Sequence, residues 1–172
     1  IFVVGTPEEV ADLQVPDESK VGYITQTTLS MDDTAEIISA LKKRYPEIQG
    51  PAKDDICYAT QNRQNAVKVL SKEVDLVLVV GAQNSSNSVR LLEVAQATGA
   101  AARRIESAAE LDPEWLEGVK NIGITAGASA PEDIVQGIVS GLQNMYSSSN
   151  VRNLELIKED VTFALPSVLR NA

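Results

Sequence analysis

The sequence predicts an α/β protein with parallel sheets, and three observations carry that expectation. Leu76 to Val80 is a continuous apolar run of strand length, the composition of a central strand buried on both faces. Apolar strands alternate along the chain with segments whose apolar residues recur at helical spacing, the signature of βα units. Three stretches also repeat one order: an apolar strand, a loop of small hydroxyl and amide residues, then a helix start. These are Gly22 to Ser30, Val77 to Ser88 and Ile122 to Pro131.

Taken in order, Ile1 to Val4 is uniformly apolar and reads as a strand already in mid-flow, as in a piece of a longer protein. Thr6 as N-cap, Pro7 in the first turn and the acidic Glu8 and Glu9 then predict a short helix to Leu13. Val21 to Thr25 is expected to form a second strand. Ser30 with Asp33 resembles a capping box, and Ile37, Ile38, Leu41 and Tyr45 fall on one helical face that Pro46 ends. Glu47 to Lys53, with Gly50-Pro51, reads as a connection. A helix starting near Thr60 buries Ala66, Val67 and Leu70 and ends around Lys72, and the helix after Ser86 buries Leu91, Leu92 and Ala95 before Gly99 stops it. Ala101 to Glu106 is a short strand, and Ser107 to Val119 gives two helical turns broken at Pro113, with Trp115 and Leu116 inward. Asn121 to Thr125 is the next buried strand. Pro131 at the first helical position then opens a helix carrying Ile134, Ile138 and Leu142, which fades into Ser147 to Asn150. Val161 to Leu165 is expected as an edge strand ended by Pro166.

Composition narrows the function. With 172 residues, 44% apolar and 23% charged, the chain can bury a real core, and no apolar run approaches the roughly 18 residues of a spanning helix. No membrane location is expected, and the cytoplasm is the default. A net charge of −9 argues against nucleic acid, whose affinity rests on Lys and Arg neutralising phosphates. There is no histidine and one cysteine, so an internal disulfide is impossible and thiolate chemistry can occur only at Cys57.

In open parallel sheets, ligands lie beyond the carboxyl ends of the strands, where helix N-termini offer free N–H groups to anions. All three hydroxyl loops are expected there, converging with Cys57 on one site. The richest is Asn84-Ser85-Ser86-Asn87-Ser88, whose side chains can hydrogen-bond an oxyanion without adding charge. The plain alternative for any one loop is an N-cap and a turn. Absence of Gly-x-Gly-x-x-Gly and Gly-Lys-Ser/Thr sequences leaves a small phosphorylated ligand rather than a nucleotide. Cys57 has three readings: an inert buried thiol, one thiolate of an iron–sulfur cluster, or a phosphatase nucleophile paired with Arg63 in Cys-x5-Arg spacing. Against the last, Asp54 and Asp55 would raise the thiol pKa.

Thr25-Gln26-Thr27-Thr28-Leu29-Ser30, Lys53 to Thr60, Asn84 to Ser88 and Thr125 to Pro131, in order and in register over about residues 1 to 145, resemble the 4-hydroxy-3-methylbut-2-enyl diphosphate reductase (LytB/IspH) family. The resemblance implies an oxidoreductase of the non-mevalonate isoprenoid pathway. Such an enzyme reductively removes the allylic hydroxyl of its substrate to give isopentenyl and dimethylallyl diphosphates. It also implies small α/β units, three-layered and mostly parallel, arranged around a central 4Fe–4S cluster held by three cysteines, of which Cys57 corresponds to the last. Ser85, Ser86, Asn87 and Ser129 correspond to diphosphate-binding residues, and Thr27 to the hydroxyl that positions substrate and relays a proton. A ferredoxin or flavodoxin is the implied electron donor.

The family's other cluster cysteines, histidines and proton-donating glutamate belong to an N-terminal portion that this sequence does not include. Three regions are therefore expected: 1–53 as part of one α/β domain, 54–145 as a second, and 146–172 as a tail packing elsewhere. Alone, the chain is expected to be inactive, to hold no stable cluster, and to self-associate through apolar edges at Ile1 to Val4 and Val161 to Leu165. A non-catalytic diphosphate-binding role is the rival reading.

Overall fold

A computed structural model of the chain describes residues 1–51, 55–146 and 149–157. Its centre is a parallel sheet of three strands, β1 (Leu76–Val80), β2 (Ala101–Ile105) and β3 (Ile122–Ala126), in the order β2-β1-β3. Leu76 stands opposite Ala101 on one side and Ile122 on the other. The five residues of β1 are all buried, as a uniformly apolar central strand requires.

Alternation along β1 divides the core between two faces. Val77 and Val79 pack with Val67 of α3 (Tyr58–Leu70) and with Leu91, Val94 and Ala95 of α4 (Ser86–Ala97). Leu76, Leu78 and Val80 pack with Ile138 and Leu142 of α5 (Glu132–Met145), and with Leu111 and Leu116 from two short 3₁₀ turns, Ala108–Glu110 and Pro113–Leu116. The result is a three-layer α/β unit, as expected. Gly99, at φ +85°, supplies the left-handed residue that ends α4. Because all three strands run the same way, the segments leaving Val80 and Ala126 emerge side by side.

Residues 1–51 are built differently. Helices α1 (Pro7–Asp12) and α2 (Met31–Arg44) pack around Val10, Leu41 and Tyr45. Thr6 caps α1 by accepting the Glu9 N–H, and Ser30 caps α2 by accepting that of Asp32. The bond to Asp32 lies one residue short of the expected capping-box partner, Asp33. The Arg44 guanidinium donates to the carbonyls of Ala11 (2.6 Å) and Leu13 (2.7 Å), and the Tyr45 hydroxyl donates to Leu13 (2.8 Å).

Two expected strands are absent here. Ile1 to Val4 is unpaired coil, with Ile1 and Val3 almost fully exposed, and Val21 to Thr25 makes only one parallel bridge, Gly22 to Gln49. A strand exists through its lateral partners, and among the described residues no neighbour supplies a ladder for either run. Three boundaries also shift. Helix α3 begins at Tyr58 rather than Thr60 and ends at Leu70, leaving Lys72 in the following turn, and Pro131 is the N-cap of α5 rather than its first residue. The expected strand Val161 to Leu165, Ser147 and Ser148 lie outside the described residues. Beyond α5, Arg152 pairs with Glu73 in the turn after α3. No helix among the described residues is long and apolar enough to cross a membrane.

Candidate functional site

Cys57 is the N-cap of α3, exposed, with no capping bond to its side chain. Its backbone N–H donates to the carbonyl of Thr27 (3.1 Å), and the neighbouring Asp55 carboxylate accepts the N–H of Thr25 (2.9 Å). Thr27 and Cys57 are thereby held together. Gln64, fully buried on α3, donates its amide to the carbonyl of Leu29 (3.3 Å) and secures the far end of the same loop.

The second loop follows β1. Gly81 donates its N–H to Ile105 (3.0 Å), and the Gln83 N–H donates to the carboxylate of Glu106 (3.0 Å). Arg104 donates to both the Gly81 carbonyl and Glu106, each at 2.8 Å. Its guanidinium, and secondarily the Gln83 N–H, hold the Glu106 carboxyl below the usual carboxylate range. Ser85 caps α4, its hydroxyl accepting the Ser88 N–H (3.4 Å). Helix geometry leaves the amides of Ser86 and Asn87 without intrahelical partners. Asn87 is 8% exposed, and both polar atoms of its side-chain amide are buried without a hydrogen-bond partner.

In the third loop, Gly127 donates its N–H to Val80 (2.8 Å), and Ala130 donates to Gly127 (3.0 Å). Ser129 is exposed in this turn. Arg63 of α3 donates to the carbonyl of Ala126 (3.0 Å), so the Cys57 helix also braces this loop.

The loops are thus physically linked. The first and second face a cleft of about 270 Å³ lined by Gln26, Thr28, Leu29, Gln83, Asn84 and Ser86, with Val89, Arg90 and Glu93 of α4 below. The second and third meet at Ser88, which lies between Gly81 and Gly127. Thr27 joins the cluster through Cys57. Ser85 acts as an N-cap, the plain alternative, yet its hydroxyl proton remains available to a ligand while its oxygen accepts.

The phosphatase arrangement is overturned. Cys57 and Arg63 stand at opposite ends of nearly two helical turns, about 9 Å apart along the α3 axis, and Arg63 is turned to a backbone carbonyl. Such a pair cannot wrap one phosphate. Asp55 faces Thr25, and Asp54 lies outside the described residues.

Sequence pattern does not single out Gln64, and Ser88, expected among the oxyanion-binding side chains of the second loop, is instead fully buried with its hydroxyl donated to Ser85. Thr60, Gln64 and Val67 share one buried face of α3, so a polar residue at the middle of an inward helical stripe was the available signal for Gln64. The bond from Thr25 to Asp55 and the contact of Ser88 with Gly127 join positions distant in sequence, which local pattern does not encode.

These features define a class: an α/β protein that gathers neutral hydroxyl and amide loops at the carboxyl edge of a parallel sheet. The chain belongs to the LytB family, whose model, described as LytB protein, matches residues 1–143. It is 53% identical over 172 residues to a 4-hydroxy-3-methylbut-2-enyl diphosphate reductase of Azoarcus sp., covering all of this chain and 55% of that protein. It is 52% identical to the reductase of Saccharophagus degradans, covering 99% of this chain and 54% of that one. Among solved structures, the E-1-hydroxy-2-methyl-but-2-enyl-4-diphosphate reductase of Plasmodium falciparum superposes with a TM-score of 0.85 at 36% identity, covering 94% of this chain and 51% of the other. The chain spans about half the length of the curated relatives it matches.

Proposed function

We propose that this chain forms the diphosphate-gripping part of an iron–sulfur reductase. The reaction removes the allylic hydroxyl of 4-hydroxy-3-methylbut-2-enyl diphosphate with two electrons and two protons, releasing water and either isopentenyl or dimethylallyl diphosphate. The observation that carries the reading is Asn87. A buried amide with neither polar atom satisfied, at the start of a twelve-residue helix, is stabilised when an anion accepts from its NH₂ group. Ser85 and Ser86 on the same turn, and Ser129 on the adjoining loop, supply further uncharged donors.

Cys57 suits one cluster position. It is exposed and its side chain makes no capping bond, so its sulfur is open to a metal. No group of three or more His, Cys, Asp or Glu residues able to hold a metal occurs among the described residues, so the other ligands of a 4Fe–4S cluster would come from outside them. When bound, that cluster supplies the reducing electrons, received from a ferredoxin- or flavodoxin-like donor. Thr27 is an exposed residue whose carbonyl accepts the Cys57 N–H, and its hydroxyl would orient the substrate and pass it a proton.

The test measures iron content and steady-state reduction in a full-length holoenzyme carrying these residues. Cys57→Ser is expected to lose the cluster spectrum and turnover together. Asn87→Ala and Ser129→Ala should keep iron and weaken substrate binding about ten- to a hundredfold, from hydrogen bonds to a charged group of about 1.5–3 kcal/mol each. Iron loss in the loop variants as complete as in Cys57→Ser would make the loops structural supports and end this division of labour.

A further inference from the structure

Thr27, Ser86 and Ser129 of the candidate site are exposed, but Ser88 is fully buried. Its Oγ donates to the Ser85 Oγ at 3.1 Å, and its N–H donates to the same oxygen. A Cβ added at Gly81 would lie 2.1 Å from the Ser88 Oγ, and one at Gly127 would lie 2.2 Å from it. The two glycines head the loops after β1 and β3 and are themselves bonded to sheet carbonyls. The Ser88 hydroxyl therefore fills the space between two loops that can close on it only because both lack a side chain there.

We infer that Ser88 is a positioning residue: clasped between Gly81 and Gly127, it sets the separation of the second and third loops, and so fits the site to a diphosphate rather than a monophosphate. The inference rests on the diphosphate reading above. One phosphate can be satisfied by the second loop alone, through Ser85, Ser86, Asn87 and the helix amides. A second phosphate needs Ser129 on the third loop at a fixed span. Ser88 also supplies the hydrogen bonds that occupy the Ser85 oxygen and leave the Ser85 proton for the ligand.

Glycine replacements test the clasp. In Gly127→Ala the new methyl meets the Ser88 Oγ, while the Ser88 Cβ remains 3.4 Å away, so Ser88→Ala should rescue it. In Gly81→Ala the new methyl also lies 2.8 Å from the Ser88 Cβ, so Ser88→Ala should not. Inorganic pyrophosphate and orthophosphate are titrated calorimetrically into the 172-residue chain and its variants, with a thermal melt of each. Gly127→Ala is expected to weaken pyrophosphate about tenfold while orthophosphate changes less than about twofold, with the double variant returning to the affinity of Ser88→Ala alone. Its melting temperature should fall by roughly 5 °C and recover in the double variant, whereas that of Gly81→Ala should not recover.

A parallel loss of both anions in Gly127→Ala would overturn the span, because misfolding or a shared defect affects both alike. Failure of Ser88→Ala to rescue Gly127→Ala in the melts would overturn the clasp. If the unaltered chain binds neither anion, the diphosphate reading falls and takes the span with it, while the rescue pattern still decides the clasp.

Discussion

Residues 55–146 and residues 1–51 lie on one chain but are held by different forces. The sheet unit has two apolar clusters, one on each face of a fully buried β1. The N-terminal unit buries only Val10, Leu41 and Tyr45 as its apolar centre, and the grip of Arg44 and Tyr45 on the α1 carbonyls completes it. Burial of apolar area is the larger stabilising effect, so the sheet unit holds the second and third loops rigidly. The first loop is placed by polar links across the two units: Thr25 to Asp55, Cys57 to Thr27, Gln64 to Leu29, Lys68 to Asp32 and Arg90 to Asp33. The site thus joins two loops seated on the sheet core to one held by polar links.

The largest expected effect breaks the firm side. Leu78→Ala opens a cavity under a residue with no exposure and should cost about 2–5 kcal/mol, whereas Tyr45→Phe removes one hydroxyl from the N-terminal unit and should cost about 1 kcal/mol. Trp115, the single tryptophan, packs on the sheet core and reports that unit alone. Denaturation followed by its fluorescence should shift strongly in Leu78→Ala and hardly at all in Tyr45→Phe, while amide exchange in α2 should accelerate in Tyr45→Phe. Equal shifts in both would mean that the units unfold as one and that the contrast is only geometric.

The same contrast explains what could be read from sequence. Leu76 to Val80 declared a central strand because burial on both faces leaves one composition, and Gly99 marked the end of α4 because a C-terminal stop is local chemistry, although the helix starts at Ser86 rather than after it. Ile1 to Val4 has a strand's composition too, but a strand's existence depends on partners that composition does not name. Four loop motifs in register identified the family and nominated Asn87 as a ligand residue, and the structure adds that its amide is buried and unsatisfied. Ser88 was expected only as one of the oxyanion donors of its loop, because its place between Gly81 and Gly127, the second of which is 39 positions away, follows from no periodicity.

A smaller effect sharpens the comparison at the seam. Lys68–Asp32 and Arg90–Asp33 fasten the first turn of α2 to α3 and α4, with both aspartates more than half exposed. Exposure and salt screening hold each pair to about 0.2–1 kcal/mol. Lys68→Met with Arg90→Met should therefore leave the Trp115 transition in place and speed amide exchange in Leu29 to Thr34. In the unaltered chain, raising salt towards 1 M should reproduce much of that change. Unaltered exchange would show that Gln64 and the Thr25–Asp55 and Cys57–Thr27 bonds suffice to hold the first loop.

The smallest expected effect lies within the sheet unit and depends on pH. Asp75, just before β1, accepts the N–H groups of Asn121 (2.8 Å) and Lys120 (3.0 Å) at the entry to β3, joining the two strands at the end remote from the site. The Asn121 N–H, and then that of Lys120, holds its carboxyl below the ordinary value of 3.8. A carboxylate depressed on folding adds stability that is present above its unfolded value and is lost as pH falls through the folded one. The contribution of Asp75 should therefore be complete near neutrality and disappear below about pH 3.8. Asp75→Asn cannot ionise, so its Trp115 transition should fall below that of the unaltered chain at pH 7, and the gap should close on acidification. Glu106 follows the same sign through Arg104 and Gln83, so the unaltered chain keeps some acid sensitivity in the variant. Because Asp75 bonds only within the sheet unit, exchange in α2 should be indifferent to the change. A gap between the two proteins that persists unchanged to pH 3 would show that shape rather than charge joins these strands.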